Sequence, residues 1–216
     1  MKSDNQPGYI ILLLSCLSSV QGSLRVDDVT CGSVVKLMNT AYKSRLHSHD
    51  VKYGSGSGQQ SVTGVEDQDD VNSHWSLMGA SGKHCDRGEP LPCGTKLRLQ
   101  HLTTKKFLHS HHFSSPLSRN QEVSAFGTKG EGDSGDNWEL VCSGDDWRRG
   151  DTVMLRHVDT GAYLAMSGHS FGRPISGQME VVGITSPDTT AKWKVQEGVY
   201  IKPASDHHHN DGHDEL

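Results

Sequence analysis

Apolar residues in this chain fall into short alternating stretches, and the stretches return in a fixed cadence. Val35 and Leu37 flank Lys36, Leu97 and Leu99 flank Arg98, and Val153 and Leu155 flank Met154. Alternation with a period of two predicts half-buried β-strands rather than helices. Each pair follows a glycine and precedes a second leucine and a tryptophan. The three sets are Gly32, Leu46 and Trp75; Gly94, Leu108 and Trp138; and Gly150, Leu164 and Trp193. Glycine to leucine spans 14 positions in every set, and glycine to tryptophan spans 43, 44 and 43. Such a period marks one supersecondary unit written three times.

Turn-forming clusters such as Gly54–Gly58 and Gly130–Gly135 separate the stretches, and no long capped helix is predicted. The second copy predicts four strands, near Lys96–His101, Phe107–His111, Val123–Phe126 and Trp138–Cys142. One such unit cannot bury its apolar face alone, so three must share a core. Closure around a pseudo-threefold axis predicts an all-β fold, a β-trefoil: a six-stranded barrel capped by three hairpins. Closure also removes the sheet edges that invite aggregation. A β-sandwich is the alternative, but it demands no threefold spacing. The trefoil is expected over residues 23–203, with repeats at about 29–84, 91–144 and 145–202.

The two ends read as addresses. Lys2 precedes an apolar run from Tyr9 to Leu17, broken only by Ser15, and small residues Val20 and Gly22 follow. This predicts a signal peptide over residues 1–22. No other apolar stretch approaches the roughly 20 residues of a membrane span, so membrane insertion is not expected. His213, Asp214, Glu215 and Leu216 spell the HDEL retrieval signal, read by a receptor in the secretory pathway. Residues 204–212 are polar and aperiodic, which predicts a flexible tail. The expected location is the lumen of the endoplasmic reticulum.

An oxidising lumen changes the reading of the cysteines. Cys31, Cys85, Cys93 and Cys142 remain after signal removal, and four cysteines allow three connectivities. Cys31 and Cys93 each precede a frame glycine, while Cys85 and Cys142 each follow a frame tryptophan. That register favours Cys31–Cys85 and Cys93–Cys142, each closing a loop of about 50 residues worth roughly 4 kcal/mol. Net charge is −5, and no basic stripe suits nucleic acid.

The segments Leu46-His47-Ser48-His49 with Trp75, Phe107-Leu108-His109-Ser110-His111 with Trp138, and Tyr163-Leu164 with Trp193 resemble MIR repeats. These modules occur in protein O-mannosyltransferases and in the inositol trisphosphate and ryanodine receptors. With the signal and HDEL, the chain resembles the stromal cell-derived factor 2-like proteins of the MIR-repeat family over about Val29 to Lys202. The third copy departs, with Ala165-Met166-Ser167 in place of His-Ser-His. The resemblance implies a luminal β-trefoil acting in folding quality control. It also implies a luminal J-domain co-chaperone and heat-shock chaperone as partners, and unfolded or O-mannosylated clients.

Candidate chemistry is sparse. Neither Gly-x-Ser-x-Gly, His-Glu-x-x-His nor a phosphate-cradling Gly-x-x-x-x-Gly-Lys occurs, so no enzyme and no cofactor are expected. His47 with His49, and His109 with His111, share strand faces, but neither pair has an obvious third ligand; structural hydrogen bonding is expected and no metal. The acidic run Glu66, Asp67, Asp69, Asp70 lacks a calcium-loop pattern. Trp147 stands outside the repeated frame beside Arg148 and Arg149, a composition found at binding hot spots. These three are candidate partner contacts, with cover of the barrel rim as the alternative. Two functions follow: a non-enzymatic chaperone accessory, or a lectin-like reader of O-mannosylated clients. Aromatic content of 6%, mostly in the frame, leaves few exposed sugar platforms.

Overall fold

The computed structural model describes residues 27–202. The signal at 1–22, the tail at 204–216 and the HDEL residues lie outside the described residues. Twelve strands form three sets of four. The first repeat holds β1 (Val34–Asn39), β2 (Arg45–Lys52), β3 (Gln60–Val65) and β4 (Trp75–Gly79). The second holds β5 (Lys96–His101), β6 (Phe107–Ser114), β7 (Gln121–Phe126) and β8 (Trp138–Val141). The third holds β9 (Met154–His157), β10 (Tyr163–Ser170), β11 (Met179–Ile184) and β12 (Trp193–Val199). A short 3-10 turn precedes each frame tryptophan, at Val71–Ser73, Ser134–Asp136 and Thr189–Ala191.

The first and last strand of each repeat build a barrel. Pairings run β1–β4, β4–β5, β5–β8 and β8–β9, then through the Val153–Trp193 bridge to β12, which returns to β1. The hairpins β2–β3, β6–β7 and β10–β11 close one end, because β3, β7 and β11 pair with one another. This is the β-trefoil. Strand β6 extends to Ser114, past the apolar alternation, because Ser114 still pairs with Gln121 of β7 although residues 112–114 are exposed and carry no burial signal.

The frame residues explain the cadence. Trp75, Trp138 and Trp193 are fully buried, and each indole Nε1 donates to the carbonyl of its own repeat's frame leucine: Leu46 at 2.8 Å, Leu108 at 2.9 Å and Leu164 at 2.8 Å. A buried Trp N–H usually finds such a partner. Each tryptophan also faces, across a strand pair, the residue seven positions after the next frame glycine. The pairs are Trp75 with His101, Trp138 with His157, and Trp193 with Asn39. Backbone φ of 79° at Gly32 and 85° at Gly94 is the left-handed region that favours glycine.

The other barrel end is closed by the residues three positions before each frame glycine: Val29, Leu91 and Trp147. Their backbones form a cycle, Val29 N to Trp147 O (2.8 Å), Trp147 N to Leu91 O (2.9 Å) and Leu91 N to Val29 O (3.0 Å). Trp147 therefore belongs to the repeated frame. Its ring is 0% exposed and packs in the common core. The expectation that Trp147 presents a surface contact is corrected: two neighbouring repeats hold its backbone and turn the indole inward.

Candidate functional site

The histidine pairs of β2 and β6 are the most developed polar constellation in the fold. Alternation points His47 and His109 inward and places His49 and His111 beside them nearer solvent. His47 Nδ1 lies 2.8 Å from Asp70, and its Nε2 lies 2.7 Å from His49 Nδ1. Ser73 donates to the same Asp70 oxygen at 2.6 Å. In the second repeat His109 Nδ1 lies 2.9 Å from Asp136, and its Nε2 lies 3.1 Å from His111 Nδ1. Each ladder thus runs from a carboxylate at the 3-10 turn, through a buried imidazole, to one near the surface. In the third repeat Ala165 stands in place of the buried imidazole and Ala191 in place of Ser73 and Asp136, and both are buried with Val182 in a small apolar cluster.

Electrostatics follow from this placement. Burial, and then the neighbouring His47, lower the pKa of His49. Burial followed by His109 does the same for His111. Burial pushes the Asp70 carboxyl up, but hydrogen bonds from Ser73 and His47 outweigh it and hold the group below its ordinary range.

A second histidine set joins the repeats. His101 Nε2 donates to Asn72 O (2.9 Å), while its Nδ1 accepts from the Thr104 amide (3.3 Å) and faces that residue's hydroxyl (2.9 Å). His157 repeats the arrangement with Gly135 O (2.8 Å) and Thr160 (2.9 Å). Asn39 does so with its amide, donating to Thr190 O at 2.7 Å. Desolvation of the buried ring pushes His101 down to about 4. His157 is also lowered, chiefly by burial.

The remaining candidates make contacts within the fold. Cys31 is joined to Cys85 and Cys93 to Cys142, with Cα–Cα distances of 6.1 and 5.4 Å. Arg149 stands in the third repeat where Cys31 and Cys93 stand in the others. Its guanidinium lies 3.9 Å over the Tyr200 ring. Arg148 pairs its backbone with Asp28 and its amide with Asp151. The backbone of the segment that carries the acidic run accepts from two cations of the fold: Lys36 donates to Gln68 O at 2.6 Å and Arg45 to Glu66 O at 3.2 Å. Sequence reasoning placed Asp70 in an acidic run without its contact to His47, and missed Asp136, His101 and His157. The last two were detectable as the seventh residue after a frame glycine.

One open cleft of about 500 Å³ lies against the Cys31–Cys85 bridge, between the first and second repeats. Leu77, Met78 and the bridge line its apolar part, and Lys83, Arg87 and Arg98 make it basic. Arg98 is braced over the Phe107 ring at 4.5 Å and donates to Gly79 O.

Residues 44–146 match the MIR domain family. The chain is 53% identical over 207 residues to stromal cell-derived factor 2-like protein 1 of Mus musculus, covering 96% of this chain and 93% of that protein. The crystal structure of the SDF2-like protein from Arabidopsis thaliana superposes with a TM-score of 0.80 at 44% identity, covering 82% of this chain and 99% of that one. The S. cerevisiae protein O-mannosyltransferase Pmt1-Pmt2 complex bound to the sugar donor contains a similar trefoil. There the TM-score is 0.72 and identity 28%, over 88% of this chain and 29% of that one.

Proposed function

The chain belongs to the stromal cell-derived factor 2 family, and on that premise we propose that it is a non-enzymatic accessory of a luminal chaperone assembly. Its place is the lumen of the endoplasmic reticulum, retained by the HDEL residues His213 to Leu216. Its partners are a J-domain co-chaperone and a heat-shock chaperone, and its clients are unfolded proteins. The observation that carries the non-enzymatic reading is where the reactive side chains go. The four mature cysteines are bridged, and the inward histidines are bonded to carboxylates or to backbone of a neighbouring repeat. Bridged sulfurs are not available as nucleophiles, and both ring nitrogens of His47, His101, His109 and His157 meet partners within the fold rather than facing a substrate. The basic cleft with an apolar floor supports contact with extended acidic and apolar segments.

Cross-linking mass spectrometry in intact microsomes tests this reading, because it names the neighbour and the touched residues together. Links from the Lys83 region to a J-domain protein are expected. Recovery of the protein with no J-domain partner in any cross-link would defeat it.

The likeness to the O-mannosyltransferase trefoil motivates a second reading, a lectin-like reader of O-mannosylated clients. Against it, Phe113 is the one exposed aromatic among the described residues, and Val51 and His169 hold the matching positions. A glycan array without mannose-dependent binding removes this reading and leaves the first.

A further inference from the structure

We propose that His109, Asp133 and Asp136 of the second repeat form a binding site for a divalent transition-metal ion of the Zn²⁺ type. His109 Nδ1 lies 2.9 Å from Asp136 Oδ1 and 3.6 Å from Asp133 Oδ1, and the three ligand atoms lie within 4.8 Å of one another. A proton on Nδ1 satisfies Asp136 alone, since 3.6 Å is beyond hydrogen-bond reach. Zinc bound tetrahedrally at about 2.1 Å spaces its ligand atoms by about 3.4 Å, which falls between the two distances from Nδ1. One ion therefore serves three groups where a proton serves two.

The surroundings are arranged for it. A metal-ligating histidine hands its other ring N–H to an acceptor that fixes the tautomer. His111 Nδ1, 3.1 Å from His109 Nε2, is placed as that acceptor. Both carboxylates are aimed by the capping box of the 3-10 turn: Asp136 Oδ2 accepts from the Asp133 amide (2.8 Å), and Asp133 Oδ1 from the Gly135 amide (2.8 Å). Two carboxylates and a neutral imidazole balance a divalent charge. The His109 and Asp136 side chains are 3% and 0% exposed, but that of Asp133 is 55% exposed and borders a cavity of about 280 Å³. Entry, and a fourth position for water, lie on that side.

The other repeats show that the second carboxylate is not required by the fold. The first repeat has Ser73 where the second has Asp136, and its single carboxylate, Asp70, is taken by Ser73 and His47. The third has Ala191 there and Ala165 in place of the histidine. A nitrogen ligand and only three protein donors select a transition metal over Ca²⁺, which takes six to eight oxygens.

The test is Zn²⁺ titration calorimetry on the full mature chain and on Asp133→Asn, whose amide oxygen can still cap the turn. The tail histidines contribute equally to both proteins, so the difference reports the site. The full chain should bind one more Zn²⁺ than the variant, while Ca²⁺ gives no matching heat. Zinc-edge anomalous scattering from a soaked crystal should place an ion about 2.1 Å from His109 Nδ1. Equal stoichiometry in the two proteins, or an anomalous signal only away from His109, overturns the proposal.

Discussion

The guanidinium of Arg149 lies 3.9 Å over the ring of Tyr200, at the junction where the other two repeats are stapled by disulfides. Arg149 takes the position of Cys31 and Cys93 before the frame glycine, and Tyr200 lies beyond the frame tryptophan as Cys85 and Cys142 do. Their backbones match as well: the amides of Cys31, Cys93 and Arg149 donate to Glu89, Asp145 and Asp27. A non-covalent contact therefore closes the third repeat.

The two kinds of closure should differ in strength. Arg149→Ala should cost about 1 kcal/mol in equilibrium urea unfolding, the scale of a partly desolvated cation–π contact. Reducing either bridge should cost several times more, because each closes a loop of 54 or 49 residues and restrains the unfolded chain by about 4 kcal/mol. Equal losses would show that the repeats are not stapled in this unequal way.

Trp147 gives a sharper contrast. Removing a fully buried indole, Trp147→Ala, should cost about 3–5 kcal/mol through lost burial and the cavity left behind. Trp147→Leu, which copies the second repeat's Leu91, should cost less than half of that in the same urea experiment. Co-chaperone capture by folded Trp147→Leu should match the unaltered protein. Weakened capture at unchanged stability would return the residue to the surface-contact role.

His101 makes stability depend on pH. Its folded pKa of about 4 lies below the ordinary 6.5, so between those values the unfolded chain binds more protons than the folded one. Stability is then full above about pH 6.5 and falls as pH drops toward 4, by about 3 kcal/mol at most from this group. Burial dominates; the nearby groups His47, Asp70 and His49 partly oppose one another. His101→Asn, which copies Asn39, should flatten the urea-midpoint profile across that window. An unchanged slope would remove His101 as the cause.

The His109–Asp136 contact should behave as a coupled pair. Asp136→Ala leaves a buried imidazole nitrogen without its acceptor and should cost about 1–3 kcal/mol. The double variant His109→Ala with Asp136→Ala reproduces the alanines of the third repeat and should cost less than the two single losses added together. Additive losses in urea unfolding would mean that the pair is uncoupled.

Strand positions and their threefold relation were legible because alternation is local and was repeated around Val35, Leu97 and Val153. The expected strands of the second repeat agree with β5 to β8 to within a few residues, apart from the solvent end of β6. The candidate chemistry was less legible. His109 sits 27 positions from its carboxylate at Asp136, and no pattern along the chain marks that pairing. Trp147 looked isolated because its equivalents, Val29 and Leu91, are aliphatic and share no residue type with it.

By itself the sequence determined the repeat, the closed all-β architecture and the inward face of each strand, since solvent and core act on every second residue wherever the strand lies. Tertiary structure alone decided that Trp147 closes the barrel end, that Arg149 meets Tyr200, and that two aspartates converge on His109. Those outcomes depend on distances between residues far apart along the chain, which exist only once three repeats have closed on a common core.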